Sequence, residues 1–402
     1  MPITRRAVLG AAAASAFVPV LGRGGDVDDL IRLRRDLHSH PELSGQEAYT
    51  AGVVARRLRA AGLEVTAGIG GHGVVGVLRG AGRGRTVAYR ADMDAVPAQG
   101  QIPAGASAAH VCGHDIHTTV GVGVAEALAR QRRRLAGTVV FVFQPGEESL
   151  TGAAAMLADH VLEHTRPQEI HALHCGPFPV GQFAVMPGFG LPGQDHATVT
   201  LTGPGAADRA TGLAAAMNAL GTVGLPASPA QMERLVADVQ IPHGPYAEFV
   251  FMRAAAAGER VQVSYRCWPE ARWTALRADI GRLAAAAGPA TVEYPGDPFP
   301  AMVVPPADDE ALARYLRRTN GRDRVVGLHA ALPYNGEDFA LFLRRLPGTY
   351  TFLGVRRPGA SIETAFPHFG AFDPDERAIA HGVRAMAGWL AHRAVGDHGD
   401  HG

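Results

Sequence analysis

The sequence predicts an α/β protein in which a mostly parallel, helix-covered sheet is interrupted by one smaller α+β insert. Two observations carry that expectation. Strand-like and helix-like stretches alternate through the first half of the chain, with charged residues at several strand ends. Near His196 the pattern breaks into short alternating strands and helices, and it resumes near Asp308. A chain of 402 residues accommodates this arrangement, and no internal repeat suggests another.

The elements follow in order. Asp28-Asp29 opens a helix in which Leu30, Leu33 and Leu37 recur at helical spacing. A second helix is expected over 47–61, stopped by Gly62. Strands are expected at 74–78 and 86–89, the latter running into Arg90-Ala91-Asp92-Met93-Asp94, where open α/β sheets place their sites. A Gly/Ala/Ser loop over 100–109 leads to His110-Val111-Cys112-Gly113-His114-Asp115 and a helix at 118–130. The apolar strand 138–143 ends in Gln144-Pro145-Gly146-Glu147-Glu148, and a helix at 153–162 precedes a strand at 170–174. In the insert, strands are expected at 197–202, 249–254, 260–267 and 291–294, with helices at 206–220 and 273–287. The proline-rich stretch 295–306 reads as the return linker, followed by a strand at 348–354 and a closing helix at 376–390.

Composition excludes some functions. Hydrophobic residues make up 47% and charged residues 19%, a globular balance. Lys plus Arg equals Asp plus Glu at 38 each, so nothing marks a nucleic-acid partner, and aromatics at 6% offer few stacking surfaces. Residues 1–25 read as a targeting signal: Arg5-Arg6 precede an apolar run over 7–18, too short for a comfortable bilayer span, and Ala14-Ser15-Ala16 is a small-residue cleavage pattern. The paired arginines resemble a twin-arginine signal. Export to the extracellular, periplasmic or cell-wall side is expected, with no stable membrane insertion after cleavage; an ordinary secretory signal or an anchor is the alternative. Three cysteines, Cys112, Cys175 and Cys267, make no disulfide framework and leave at least one thiol free or one thiolate for a metal. The His-containing tail 395–402 reads as a solvated end.

Cys112, His114, Glu148, His174 and His368 are good donors to first-row metals, and most follow or end a strand or loop, so they can converge at one sheet edge. Gly113 permits close backbone approach, so its two neighbours could face one ion. Singly, each residue reads as a buried cysteine or an incidental histidine; as a set they point to metal. Glu147 and Glu148 are adjacent carboxylates at a strand end, and their repulsion needs a reason. If one is a ligand, the other is free to move protons, which is the division of labour that hydrolysis needs. A solvated acidic turn is the bland alternative.

Arg34-Arg35-Asp36-Leu37-His38 followed by Pro41-Glu42-Leu43 resembles the opening of the M20 metallopeptidase family, in the amidohydrolase branch of hippurate hydrolase and the auxin-conjugate hydrolases. Arg90 to Asp94, Cys112-Gly113-His114-Asp115, Phe143 to Glu148, Leu173-His174, Gly336-Glu337-Asp338-Phe339 and Pro367-His368 continue it in order over nearly the whole expected mature chain. The resemblance implies a zinc-peptidase-like α/β/α sandwich at 28–195 and 299–394, with an inserted ferredoxin-like lid at 196–298. It implies two divalent ions, manganese or zinc, held by Cys112, His114, Glu148, His174 and His368. It also implies Glu147 as general base and acid, and Asp94 as an acidic support of the metal site. The activity implied is hydrolysis of the amide bond of N-acyl amino acids or similar small amides, and a homodimer through the lid is left open.

The lid departs from the family pattern. A Gly-His-Ala stretch and a following Pro-His are replaced by Gly203-Pro204-Gly205-Ala206-Ala207-Asp208, and Ala254 to Arg260 stands near the place of an Asn-Val-Ile-Pro segment. His243 and Arg266 are candidates to take over the lost substrate contacts. Two other readings remain. One is a metallo-carboxypeptidase or dipeptidase on the same scaffold, which generally uses Asp in place of Cys112. The other is a catalytically weak, metal-containing binding protein, which the altered lid favours and Glu147 opposes.

Overall fold

The computed structural model describes residues 25–97, 107–369 and 371–395; the expected leader and tail fall, but for Gly25 and Val395, outside them. Eight strands form the main sheet: β1 Glu64–Ile69, β2 Gly73–Arg79, β3 Gly82–Asp92, β4 Ala136–Gln144, β5 Glu169–Pro179, β6 Phe183–Val185, β7 Val325–Gly327 and β8 Gly348–Arg356. Their spatial order is β1-β2-β4-β3-β5-β8-β6-β7. The four central strands, β4, β3, β5 and β8, run parallel. The flanking β1–β2, β2–β4 and β8–β6 pairs are antiparallel. The parallel expectation therefore describes the centre of a mixed sheet.

Both faces of that centre are buried, which is why β4 reads as an unbroken apolar run. Tyr89, Phe141 and Phe143 pack on one side with Ile116, Val120, Met386 and Trp389 of the helices His114–Arg130 and Arg377–Val395. Val140, Val142 and Ile170 pack on the other with Phe342 and Tyr350. Gly121 lets its helix lie against the sheet, since a Cβ there would meet Phe143 at 2.9 Å. The strand expected to end at Tyr89 continues to Asp92. Arg90 and Asp92 remain in a buried strand because they pair with each other, Arg90 also with Glu337 and Asp338, and Asp92 also with His117. Likewise β5 runs five residues past the expected end at His174.

The insert is a four-stranded antiparallel sheet in the order Phe249–Ala257, Arg260–Trp268, Asp195–Leu201, Ala290–Glu293. Helices Ala206–Asn218 and Trp273–Ala286 cover one face through Leu213, Met217, Leu276 and Ile280. The chain enters and leaves through a short ribbon in which Gly190 and Leu191 pair with Val303 and Met302. Several elements escaped the sequence reading, among them strands β1, β6 and β7 and helices Pro306–Asn320 and Phe339–Leu343. The most consequential is helix Pro229–Asp238, capped by the Ser228 side chain and begun by a proline. It belongs to the insert in sequence, yet Met232, Leu235 and Val236 bury in the main core with Ile362 and Phe366, strapping the insert to the sheet.

Candidate metal centre

The expected donors meet beyond the carboxyl ends of β3 and β4, beside the middle of β5. Cys112 precedes the helix His114–Arg130, of which His114 is the first residue. Gly113 between them has φ +94°, and a Cβ on it would lie 3.0 Å from Cys175 Sγ. The left-handed turn there requires glycine and sends both flanking side chains into the site. Glu147 and Glu148 follow β4 in a turn whose Gly146 N–H donates to buried Glu47 at 2.9 Å. His174 projects from within β5. His368 arrives on a loop with φ 69°, its N–H bonded to Val111 O at 2.7 Å.

Donor atoms of Cys112, His114 and Glu148 lie within 4.8 Å of one another. Glu148 Oε1 is 3.7 Å from His114 Nε2 and 3.5 Å from His368 Nε2. His174 joins from the other side of His114, their rings edge to face at 5.9 Å. His114 Nε2 and Glu148 Oε1 are both buried with no hydrogen-bond partner among the described residues. Buried polar atoms in that condition call for an ion between them, and a thiolate, imidazole and carboxylate set fits a divalent metal. Burial pushes the Cys112 thiol up to about 12, so the proton leaves when a cation takes its place.

Asp94 stands behind these donors. His114 Nδ1 donates to its backbone oxygen at 2.9 Å and its Oδ1 at 3.1 Å, leaving Nε2 for the ion. Ser44 Oγ and the Glu148 N–H donate to Oδ2 at 2.7 and 2.9 Å. Burial works against its charge, but His114, Ser44 and the Glu148 amide outweigh it and hold the carboxyl below its usual range. Asp94 does not line the cleft, so the geometry makes it a positioning residue.

Four residues that the sequence reading left without a role, His117, Arg90, Glu337 and Asp338, complete the surroundings. His117 lies within ligand distance of His114 and His174, but both of its nitrogens are engaged. Nδ1 donates to Asp92 at 2.6 Å and Nε2 accepts the Cys175 N–H at 2.8 Å, which fixes β5 beside His174. Arg90 donates to Gln144, Glu337 and Asp338 at 2.9, 2.9 and 3.1 Å and also pairs with Asp92. Glu147 has a carboxylate oxygen within 4.8 Å of oxygens on Glu337 and Asp338, and its Oε2 is 3.7 Å from His114 Nε2. Burial, Glu337 and Glu148 push Glu147 well above the usual carboxylate range. All three cysteines are free thiols.

The donors open onto a cleft of about 370 Å³. Glu147, Glu148, His174 and His368 form its floor, and Leu150, Leu191, Leu332, Tyr334 and Phe366 an apolar wall. Arg253 and Arg266 reach it from the insert. His243, the other substitute suggested by the sequence, is exposed and does not line the cleft.

A model of peptidase family M20/M25/M40 matches residues 88–392. The chain is 30% identical to the N-acetylcysteine deacetylase of Bacillus subtilis over 368 residues, covering 87% of this chain and 93% of that protein. It is 28% identical over 398 residues to an IAA-amino acid hydrolase, ILR1-like 4, of Arabidopsis thaliana, covering 93% and 87%. Among solved structures, a dinuclear metal binding peptidase of the M20 family from Bacillus subtilis superposes with a TM-score of 0.69 at 26% identity, over 92% of this chain and 98% of that one.

Proposed function

The chain belongs to peptidase family M20/M25/M40 and is a metal-dependent hydrolase; from that premise we propose that it cleaves the amide bond of N-acyl amino acids or similar small amides. The observation that carries the reading is the placement of Glu147. It lies on the cleft floor beside buried donors that lack partners, with its own affinity for a proton raised. Cys112, His114, Glu148, His174 and His368 would hold two divalent ions, zinc or manganese, whose Lewis acidity acidifies water and polarises the amide carbonyl. Glu147 accepts the proton of the attacking water and returns it to the amine nitrogen as the C–N bond breaks. A group that must do both profits from a proton affinity nearer neutrality than that of a surface carboxylate. Asp94 and Arg90 hold the ligand and carboxylate arrays, and the partly apolar cleft limits competing water.

The relatives support the substrate class: one is an N-acetylcysteine deacetylase and another an IAA-amino acid hydrolase. The test is a hydrolysis screen of N-acyl amino acids and dipeptides with purified protein and Zn²⁺, Mn²⁺ or Co²⁺. Release of free amino acid from N-acyl substrates is expected. Cleavage confined to dipeptides would replace the reading with that of a dipeptidase.

A further inference from the structure

Two guanidinium groups enter the cleft side by side from the insert. Phe251 is the register partner of Arg266, and Arg253 the partner of Ser264, so Arg253 and Arg266 are diagonal neighbours on one face of the sheet. The opposite face, carrying Val250, Met252, Tyr265 and Cys267, is buried under the insert's helices. The arginine face is thus the one free to look into the cleft, which both residues line.

Neither charge is neutralised by a carboxylate among the described residues. Arg266 Nη2 donates to Gln194 Oε1 at 2.5 Å, while its Nε is buried without a partner. The guanidinium of Arg253 lies over the Phe251 ring at 5.2 Å, and Phe251 packs edge-on against Tyr334 of the cleft wall. Both side chains are therefore held in place. Burial and the like charge of Arg253 lower the Arg266 pKa to about 10. The acidic groups at the far end of the cleft have other cations to serve: Glu148 the ligand cluster, and Glu337 the buried Arg90. Two cations kept together, partly out of water, repel each other until anions arrive.

We infer that the half of the substrate facing the insert carries two anionic groups, as an N-acylated α-amino dicarboxylic acid does. Arg266, the deeper of the two and braced by Gln194, takes the α-carboxylate; Arg253, at the exposed rim, takes the side-chain carboxylate. This rests on the proposed amide hydrolysis and narrows it to acidic amino acids.

The experiment compares kcat/KM of the Zn²⁺- or Mn²⁺-loaded enzyme for N-acetyl-L-glutamate, N-acetyl-L-glutamine and N-succinyl-L-leucine. A charge-assisted hydrogen bond predicts a preference for glutamate over glutamine of about 10–100-fold. Arg253→Gln should bring that ratio to within about threefold of one. A wild-type ratio near one, or a ratio that survives Arg253→Gln, overturns the inference. So does a preference for the succinyl substrate, which would put the second anion on the acyl half. If no N-acyl amino acid is turned over, the hydrolysis reading fails, and calorimetry on the same proteins still decides the two-anion reading. Glutarate should bind wild type about tenfold or more tighter than butyrate, a margin lost in Arg253→Gln; equal affinities for wild type would sink it.

Discussion

The Glu148 backbone N–H donates to Asp94 Oδ2 at 2.9 Å, while Asp94 Oδ1 accepts from His114 Nδ1 at 3.1 Å. One buried carboxylate thus sets the direction of a histidine donor and the position of the turn that carries both glutamates. The donor geometry and the placement of Glu147 are coupled through it, and disturbing one disturbs the other.

The two glutamates should separate by phenotype. Glu147→Gln preserves size and hydrogen bonding but cannot carry the proton, so metal content should survive while kcat falls by at least about 10²–10⁴-fold. Glu148→Gln removes charge from the ligand cluster, so metal occupancy should fall and excess metal should restore part of the activity. Elemental analysis and turnover on both variants check this. An empty site in Glu147→Gln, or near wild-type turnover with metal bound, would reverse the roles.

Asp94→Asn keeps the shape of the side chain but removes the charge that His114 leans on and, with the amide nitrogen in the place of Oδ2, the acceptor that Ser44 and the Glu148 amide share. Metal affinity should weaken by about 10–100-fold, as for other partners that orient a ligand histidine. At saturating metal, kcat should recover further than in Glu147→Gln. Metal titrations followed by activity and by thermal shift distinguish the two. Unchanged metal affinity would remove Asp94 from its positioning role.

Much of this centre was legible because motif residues carry their chemistry in their side chains. Cys112, His114, Glu148, His174 and His368 could be picked out as donors before any contact was known. What Asp94 does to Glu148 was hidden because the contact is to a backbone amide, which leaves no mark in side-chain pattern. His117 looks like a ligand by residue type and is excluded only by the Cys175 N–H that it accepts. Helix Pro229–Asp238 had a readable start at Ser228-Pro229, but its apolar face is satisfied by a distant part of the chain around Ile362. Arg253 and Arg266 become neighbours only through strand register, which depends on where the hairpin turns.

Gly113→Ala tests the turn that splits Cys112 from His114. The new Cβ would sit 3.0 Å from Cys175 Sγ, at a φ of +94° that L side chains resist. The backbone strain alone is worth about 1–3 kcal/mol, and relief requires moving residues adjacent to two donors. Lower thermal stability and reduced metal content are expected together. A variant that melts lower yet binds metal with wild-type affinity would show that the turn is structural only.

The last prediction concerns pH and lies away from the cleft. Asp309, in helix Pro306–Asn320, is fully buried where the chain returns from the insert. Its Oδ2 accepts the Met186 N–H at 2.6 Å and its Oδ1 has no partner among the described residues. Burial, with a smaller push from Asp308 and opposed by the Met186 amide, raises its pKa to about 7. An unfolded aspartate titrates near 3.9, so the folded chain binds more protons between those values. The stability this group contributes is therefore fully present below about pH 4 and is lost as pH rises through 7. Asp309→Asn retains an acceptor for Met186 and never ionises. It should raise stability at pH 8 by about 1–3 kcal/mol relative to its effect at pH 5, against a ceiling of about 4 kcal/mol set by the two pKa values. Thermal melts of both proteins at pH 5 and pH 8 measure the difference. A stabilisation that is equal at the two pH values, or larger at pH 5, would mean that Asp309 stays ionised across the range.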